Sequence, residues 1–460
     1  MRAAHNKADF LRTSGECGVA NTMIDLGEMP RNRESVAEAG TPRPPVPYRP
    51  VLGALTILLI ALLTGGAHRG PQRPPVVIPG RLSDSTFVDG GRLFVVSVTA
   101  PVLGSDVLNR TVSAYTLPGA KLVSRTSVAV AGSVSGVFTV GDTMLVTYQV
   151  DSTNGQVTVA VNEGTAKALW RRQVGVIAVS AAAGVALVTV GDDSGGLGDG
   201  WWSVVDLKTG VPRWSLRQPP SGSVAEFGYA NGFPRYFVTT TRDGHVETRD
   251  ALTGAVASTG VIPQLGPDGY VSTMVWSSED LLMVVDGASG VTAYDLPGLT
   301  LRWHSDVDLS QSWTQTGCGV VICAFRPQRG MTTIDPATGR ELWESDRWSY
   351  AEPAGRYLAA TALDQSIYQS QLWMLDPLTG QVHGNLGPWQ GLAVDGEDAL
   401  TYAMYEVPGK YTRWYGALDP DRLQVRILGS ADRVSGDCHI SNGALICRLV
   451  DASIAVWPLR

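Results

Sequence analysis

Four segments of this chain place a tryptophan eight residues after an Asp or Asn: NEGTAKALW from Asn162 to Trp170, DLKTGVPRW from Asp206 to Trp214, DLPGLTLRW from Asp295 to Trp303 and DPATGRELW from Asp335 to Trp343. Degenerate copies begin at Thr116, Asp250, Asp376 and Asp419 and read TLPGAKLVS, DALTGAVAS, DPLTGQVHG and DPDRLQVRI. The eight marks follow one another at intervals of 40 to 46 residues. Such a period signals an array of one supersecondary unit whose apolar faces are covered by its neighbours.

One unit shows what repeats. In VICAFRPQRGMTTIDPATGRELWES, Val320 to Phe325 is an apolar, β-branched run that reads as a strand. Arg326 to Gly330 reads as a turn, Met331 to Ile334 as a second strand, Asp335 to Gly339 as a tight turn and Glu341 to Glu344 as a third strand. The Asp carboxylate accepts N–H bonds within such a turn, Pro336 presets φ and Gly339 supplies a positive φ. Trp343 then packs between neighbouring sheets. A short run before each triplet, Trp313 to Thr316 here, makes four strands per unit. Four antiparallel strands every 40 to 45 residues predict an all-β chain built as a β-propeller.

Eight turns close eight triplets, and Asp437 to Leu459 offers three further strands without a fourth. The segment VVIPGRL, Val76 to Leu82, is positioned to supply it and to close the ring, which removes exposed sheet edges. Nine units can be counted this way. Propellers usually hold four to eight blades, so eight is the expected number, with one unit degenerate or merged, and nine is kept open.

Charged residues make up 17% of the chain and its net charge is −7, without an acidic or basic block. Nucleic-acid binding therefore lacks electrostatic support. An Ala, Gly, Val and Arg-rich, Lys-poor composition fits a GC-rich bacterial genome. Residues 1–50 are polar and Pro-rich between Pro30 and Pro50, and read as a disordered cytoplasmic segment. Translation starting at Met1 and at Met23 are equally consistent with the text. Val51 to Thr64, continuing weakly to Ala67, is the only long apolar run. Arg43 and Arg49 before it and Arg69 and Arg73 after it give little charge asymmetry. Residues 51–67 are read as an uncleaved single-pass membrane anchor; a cleaved signal peptide with a secreted product is the alternative. Both place the array outside the cytoplasm. Residues 68–82 then form a linker and the ring-closing strand, and 83–460 the propeller, expected to be monomeric.

The cysteines agree with export. In CHISNGALIC a two-residue Asn442–Gly443 turn pairs Ser441 with Ala444, Ile440 with Leu445 and His439 with Ile446, which sets Cys438 opposite Cys447. Cys318 and Cys323 flank GVVI in the equivalent hairpin of another unit, where the register puts Cys318 in or near the turn. Two disulfides are expected, with buried free thiols as the alternative. Paired cysteines belong to an oxidising compartment.

The DxxTGxxxW unit resembles the repeat of the quinoprotein (PQQ-like) β-propeller superfamily over about four-fifths of the chain. DLKTGVPRW and DPATGRELW are near its pattern, whereas DALTGAVAS, DPLTGQVHG and DPDRLQVRI lack the Trp. The resemblance implies a propeller and admits two kinds of member: calcium- and quinone-dependent dehydrogenases, and non-enzymatic envelope scaffolds. Dehydrogenases of the superfamily carry adjacent cysteines at the quinone, carboxylate and amide ligands to calcium, and an Asp base. This chain has no Cys–Cys dipeptide, and no acidic residue stands in a context that matches those ligands.

Other chemistry is sparse. GDDSGGLGDGWW, residues 191–202, alternates Asp192, Asp193 and Asp199 with glycines ahead of Trp201 and Trp202. Such a loop is a weak calcium candidate, its aromatic pair a weak sugar platform, and a plain surface connector is the simpler reading. Asp243 and His245 form a candidate acid–base pair in what reads as a polar hairpin turn. His304, His383 and His439 sit on strands or strand ends without a carboxylate cluster near them in sequence. No GxSxG, Walker-type or HExxH motif occurs. Trp313, Trp348, Trp373, Trp389 and Trp414 read as packing between blades. The expectation is a non-catalytic, membrane-anchored binding or scaffolding module at the cell envelope, needing neither PQQ nor calcium and recognising an envelope protein or small ligand. Its loops at 100–110, 151–155, 191–200, 241–245, 326–330, 364–370 and 406–411 would make the contact. The alternative is an oxidoreductase or ligand sensor that uses the central channel with calcium or a quinone.

Overall fold

The alternation of β-branched runs with Asp–Gly turns resolves, in a computed structural model, into nine four-stranded antiparallel sheets. The chain divides into two units, Met1–His68 and Arg69–Arg460. The structure describes residues 74–459, apart from connecting residues 102–107, 151–154, 191–199, 220–221, 242, 266–272, 279, 287–289, 316–317, 328, 364–370 and 395–398. The expected disordered segment and the expected anchor at 51–67 lie outside the described residues. Among those described, no helix is long and apolar enough to cross a membrane.

Each sheet is one blade with its strands in sequence order: blade 1 at 85–130, then 133–172, 175–217, 223–261, 273–305, 313–345, 348–385 and 390–432. Blade 9 joins Val434–Ser441, Ala444–Leu449 and Ile454–Pro458 to Val76–Ile78, with Val76 opposite Val456 and Ile78 opposite Ile454. The N-terminal strand therefore closes the ring, as the sequence predicted. The number of blades is nine where eight was expected. No unit is merged: even the shortest outer pair, Trp373–Leu375 with Val382–Asn385 in blade 7, forms a ladder of its own.

The core consists of nine clusters, one between each pair of adjacent blades. Phe94, Val112 and Val130 of blade 1 meet Val137, Met144 and Tyr148 of blade 2. The succession continues around the ring to Tyr415 and Ala431 of blade 8 against Leu445 and Trp457 of blade 9. It ends with Ile446, Val456 and Ile78 of blade 9 against Leu93 and Val95 of blade 1. Middle strands have a neighbouring blade on both sides, so Gly330–Ile334 is buried throughout and Thr143–Gln149 nearly so. Outer strands such as Pro212–Arg217 bury neither side fully. This is why middle strands such as Thr143–Gln149 and Val185–Val190 read as apolar runs, although Leu108–Thr116 and His245–Asp250 alternate.

Antiparallel order sorts the connections into two faces. First-to-second and third-to-fourth strand turns emerge on one face, called here the turn face. Second-to-third connections, and the links from each fourth strand to the next blade, emerge on the opposite loop face. The seven loops named from the sequence lie between second and third strands, whose described ends point to the loop face; residues 102–107, 151–154, 191–199, 242, 328 and 364–370 of these loops lie outside the described residues.

Both cysteine pairs are disulfides. Cys438 and Cys447 have Cα atoms 4.2 Å apart in a hairpin whose register is the one the turn demanded. Asn442 and Gly443 take φ of 46° and 71°, the two positive values of a tight hairpin turn. Cys318 bonds Cys323 from beside the Gly319–Val320 turn, with Cα atoms 5.9 Å apart.

Candidate functional site

The Asp-to-Trp motif forms a lock between blades on the turn face. Asp335 Oδ1 accepts the Ala337 N–H at 2.9 Å and its Oδ2 accepts the Thr338 hydroxyl at 2.7 Å. The Thr338 hydroxyl bond, then the Ala337 N–H, holds the Asp335 carboxyl below the usual carboxylate range. At Asp206 burial opposes ionisation, but bonds from Thr209, Arg213 and Lys208 outweigh it and lower its pKa too. The tryptophan closing one blade then docks on the turn of the next. Trp170 Nε1 donates to Leu207 O at 2.8 Å, Trp214 to Leu252 O at 3.1 Å, Trp303 to Pro336 O at 2.9 Å and Trp343 to Pro377 O at 2.9 Å.

The glycine of each docking turn is dictated by that indole. Gly210, Gly254, Gly339 and Gly380 have φ of 66° to 72°. A Cβ on Gly210 or Gly254 would lie 2.7 Å from Trp170 or Trp214, and one on Gly380 2.6 Å from Trp343. Real Cβ atoms do not approach so closely. Where the preceding blade offers no Trp, the same turn position keeps a positive φ but carries a side chain: Ala120, Ala166, Leu299 and Leu423, at 49° to 55°.

The degenerate repeats are thus substituted locks. In place of the Trp of blade 4, the Ser258 hydroxyl donates to Pro297 O, joined by the Thr248 hydroxyl at 2.7 Å. Ser124 of blade 1 donates at 2.5 Å to Glu163, which also binds Arg92 at 2.7 Å. In blade 7 the partners exchange sizes: Gly384 replaces the Trp and Leu423 fills its space, lying where a Cβ on Gly384 would go. Ile427 of blade 8 is 55% exposed because blade 9 has no third-to-fourth turn for an indole to dock on. Asp206, Gly210, Trp214, Asp295, Trp303, Asp335, Gly339 and Trp343 accordingly serve packing between blades.

Beside the exchanged lock lies a cleft of about 310 Å³ lined by Arg356, Tyr357, Asp376, Gln381, Val382 and His383. His383 stacks on Tyr357 with centroids 4.5 Å apart and planes 12° apart, and Arg356 lies 5.0 Å from the Tyr357 centroid while pairing with Asp421 at 2.8 Å. The cleft offers hydrogen-bonding groups and no Ser, Thr or Cys nucleophile. Sequence reading missed it, although the absent Trp at Gly384 was its visible signal.

The remaining sequence candidates are scattered. Asp192, Asp193 and Asp199 lie outside the described residues. Among those described, no group of three or more His, Cys, Asp or Glu is arranged to hold a metal ion. Asp243 and His245 are 3.7 Å apart, both about two-thirds exposed, in a hairpin turn closed by Gly244 N–H to Thr241 O at 3.0 Å. The Thr241 hydroxyl holds Asp243 below the usual carboxylate range. His304 Nδ1 bonds the Thr292 hydroxyl at 3.0 Å.

Trp201 and Trp202 do not form one platform. Adjacent residues of a strand point to opposite sides, so Trp201 is exposed beneath Arg217 while Trp202 turns inward and donates to Glu226 of blade 4 at 2.9 Å. Trp348, Trp373 and Trp389 lie in clusters between blades, whereas Trp414 is half-buried outside them.

Among solved structures the chain is similar to BamB from Moraxella catarrhalis, at 13% identity over 84% of this chain and 96% of that one, with a TM-score of 0.36. The computationally designed Ika8 protein matches at 13% identity over 71% of this chain and 96% of its own, with a TM-score of 0.41. The Cps50 (Swd1) β-propeller domain of Myceliophteria thermophila matches at 11% identity over 59% and 92%, with a TM-score of 0.31. Overlap this low carries no argument, and the propeller fold rests on the strand pairing itself. No protein-family pattern matches the chain, and no curated protein matches it in sequence.

Proposed function

We propose that this chain is a membrane-anchored, extracytoplasmic propeller of the PQQ-like kind that binds a partner through its loop face without catalysing a reaction. One observation carries the reading. The turn face is occupied by the locks between blades, while the three longest connections, 191–200, 262–272 and 363–372, join strand ends on the opposite face of a scaffold tied into a ring. A rigid disc of this sort can vary its loops without disturbing the sheets. Two disulfides support an oxidising compartment. The apolar run at 51–67 supports attachment.

The test is chemical crosslinking in the source envelope, comparing the native chain with a variant whose loops at 326–330 and 406–411 are replaced by Gly-Ser. A partner recovered equally by both chains would refute loop-face binding. Calorimetric titration with calcium, with and without PQQ, addresses the second reading, an oxidoreductase or ligand sensor that uses the central channel. Saturable quinone binding with dye-linked alcohol oxidation would overturn the non-catalytic reading.

A further inference from the structure

The chain enters the ring at the outer rim of blade 9. Third-to-fourth turns lie on the turn face, so every fourth strand begins there, and Val76–Ile78, the fourth strand of blade 9, does so too. Pro74 and Pro75 therefore lead in at the turn-face end of the rim. Six residues, 68–73, separate Pro74 from the apolar run at 51–67 in sequence. Fully extended, that stretch reaches about 25 Å.

The rim beside this entry is apolar and basic at once. Val76 and Val77 of blade 9, Leu122 and Val123 of blade 1 and Ile427 of blade 8 are exposed, all within the first four residues of their strands. Exposed apolar residues also occur on other rims, among them Val256, Leu301 and Val382, so charge is what sets this sector apart. Lys121, Arg125 and Arg426 are exposed on the fourth strands of blades 1 and 8, and no carboxylate pairs with them. Acidic groups on the turns here are already held: Asp419 by Arg422 at 3.3 Å, Asp421 by Arg356 at 2.8 Å and Glu163 by Arg92 at 2.7 Å. Asp89 and Asp142, on inner turns, bond Thr139 and Asn162, and Asp432 lies at the loop-face end of its strand. Outside the described residues, 68–73 and 460 add Arg69, Arg73 and Arg460 and no acidic side chain. The fourth strands of blades 4 to 7 hold no unpaired Lys or Arg. Val256–Val261 is uncharged, Arg302 bonds Asp295, Glu341–Ser345 is acidic and Val382–Asn385 has His383 alone.

We propose that this rim rests on an anionic phospholipid bilayer. Its apolar side chains enter the headgroup region, and Lys121, Arg125 and Arg426 face the lipid phosphates. The stem of a Lys or Arg covers apolar surface while its head stays at phosphate level. The short stretch before Pro74 keeps the rim at high effective concentration beside the lipid, so shallow burial of a few side chains suffices. The loop face, at the other end of the same strands, is left clear for a partner. The proposal rests on the anchor reading above and adds which side of the propeller meets the lipid.

The test places a nitroxide at Val123→Cys, Ile427→Cys or Leu301→Cys, one at a time, in the full chain carrying Cys17→Ser, with both disulfides left oxidised. Leu301, 62% exposed on blade 5, is the control. The chain is inserted in nanodiscs of phosphatidylcholine with or without phosphatidylglycerol. Each label's access to oxygen, which enters lipid, and to a water-soluble nickel chelate is then measured, and matching melting curves establish that each labelled chain is folded. With phosphatidylglycerol present, the oxygen-to-nickel ratio at 123 and 427 should exceed that at 301 by roughly threefold or more. Omitting phosphatidylglycerol, or combining Lys121→Gln, Arg125→Gln and Arg426→Gln, should remove about half of that excess or more. Equal ratios at all three positions, or an excess unchanged by the triple substitution, overturn the proposal. So does loss of access to both agents, the mark of a protein such as a second copy on the rim. Flotation separates the two levels. If the chain floats with vesicles and resists alkaline carbonate while the rim labels stay aqueous, the rim is wrong and the anchor stands. If carbonate strips the chain from vesicles, the anchor reading fails and the proposal with it.

Discussion

Replacing Gly339 with alanine isolates the energy of one lock. The new Cβ would lie 2.5 Å from Trp303 Cδ2. The indole cannot retreat, because Nε1 is bonded to Pro336 O at 2.9 Å and the ring is 7% exposed among Leu309 and Ile334. Two costs add. A φ of 72° costs an L-residue about 1–2 kcal/mol, and forcing a methyl into a filled site costs about 1–3 kcal/mol. Gly409 provides the control, since its φ is 70° and nothing lies within 4 Å of its Cβ direction. Gly409→Ala should therefore cost only the backbone part. For a unit of this size each kcal/mol moves Tm by roughly 1–1.5 °C, so the two variants should differ by about 1–4 °C in calorimetry. Trp303→Leu should remove most of the additional cost of Gly339→Ala in a double-mutant cycle. If Gly339→Ala and Gly409→Ala melt together, the indole does not clamp the turn and the account of the repeat is wrong.

The exchanged lock predicts a rescue. Gly384→Trp alone should destabilise by about 2 kcal/mol or more through its collision with Leu423, and adding Leu423→Gly should recover most of it in chemical denaturation. Alkylation of the denatured chain should label one of the five cysteines without reductant and all five with it; opening Cys438–Cys447 should cost about 2–3 kcal/mol. Acid stability follows from the turn aspartates. Because Asp335 and Asp206 are held below their unfolded values, their contribution is complete above about pH 4 and is lost as pH falls through the lower folded values. Asp335→Asn should flatten that limb of a denaturation-midpoint profile, and an unchanged slope would contradict the assignment.

Local chemistry explains which features could be read from the sequence. The Asn442–Gly443 turn fixes its own register, so the Cys438–Cys447 pairing was derivable from ten residues. The closing strand was legible because the last unit lacked one partner and Val76–Ile78 lacked a unit. The lock was only half legible. Glycine occurs in the turn after each Trp-bearing repeat and Ala or Leu after the others, but that correlation means nothing until one knows which turn each indole meets. The contact of Arg347 with Trp348 and Trp373 was harder still, because it joins residues from a link, a first strand and a third strand that no local period connects. Trp201 and Trp202 misled for a simple reason: adjacency in a strand separates side chains.

Ring closure also has a consequence for how the chain is made. Val76–Ile78 must pair with Ile454–Pro458, the first strand of the propeller with the last. At ordinary translation rates of about 5–20 residues per second, roughly 20–75 s pass between their syntheses. Blades 1 to 8 can assemble in order during that interval, each on the one before. Blade 9 cannot be completed until Ile454–Pro458 emerges, and until then Leu93 and Val95 of blade 1 lack their covering. A chain broken before Ile454 would leave an open stack with two uncovered ends, a substrate for proteolysis or for joining a second chain.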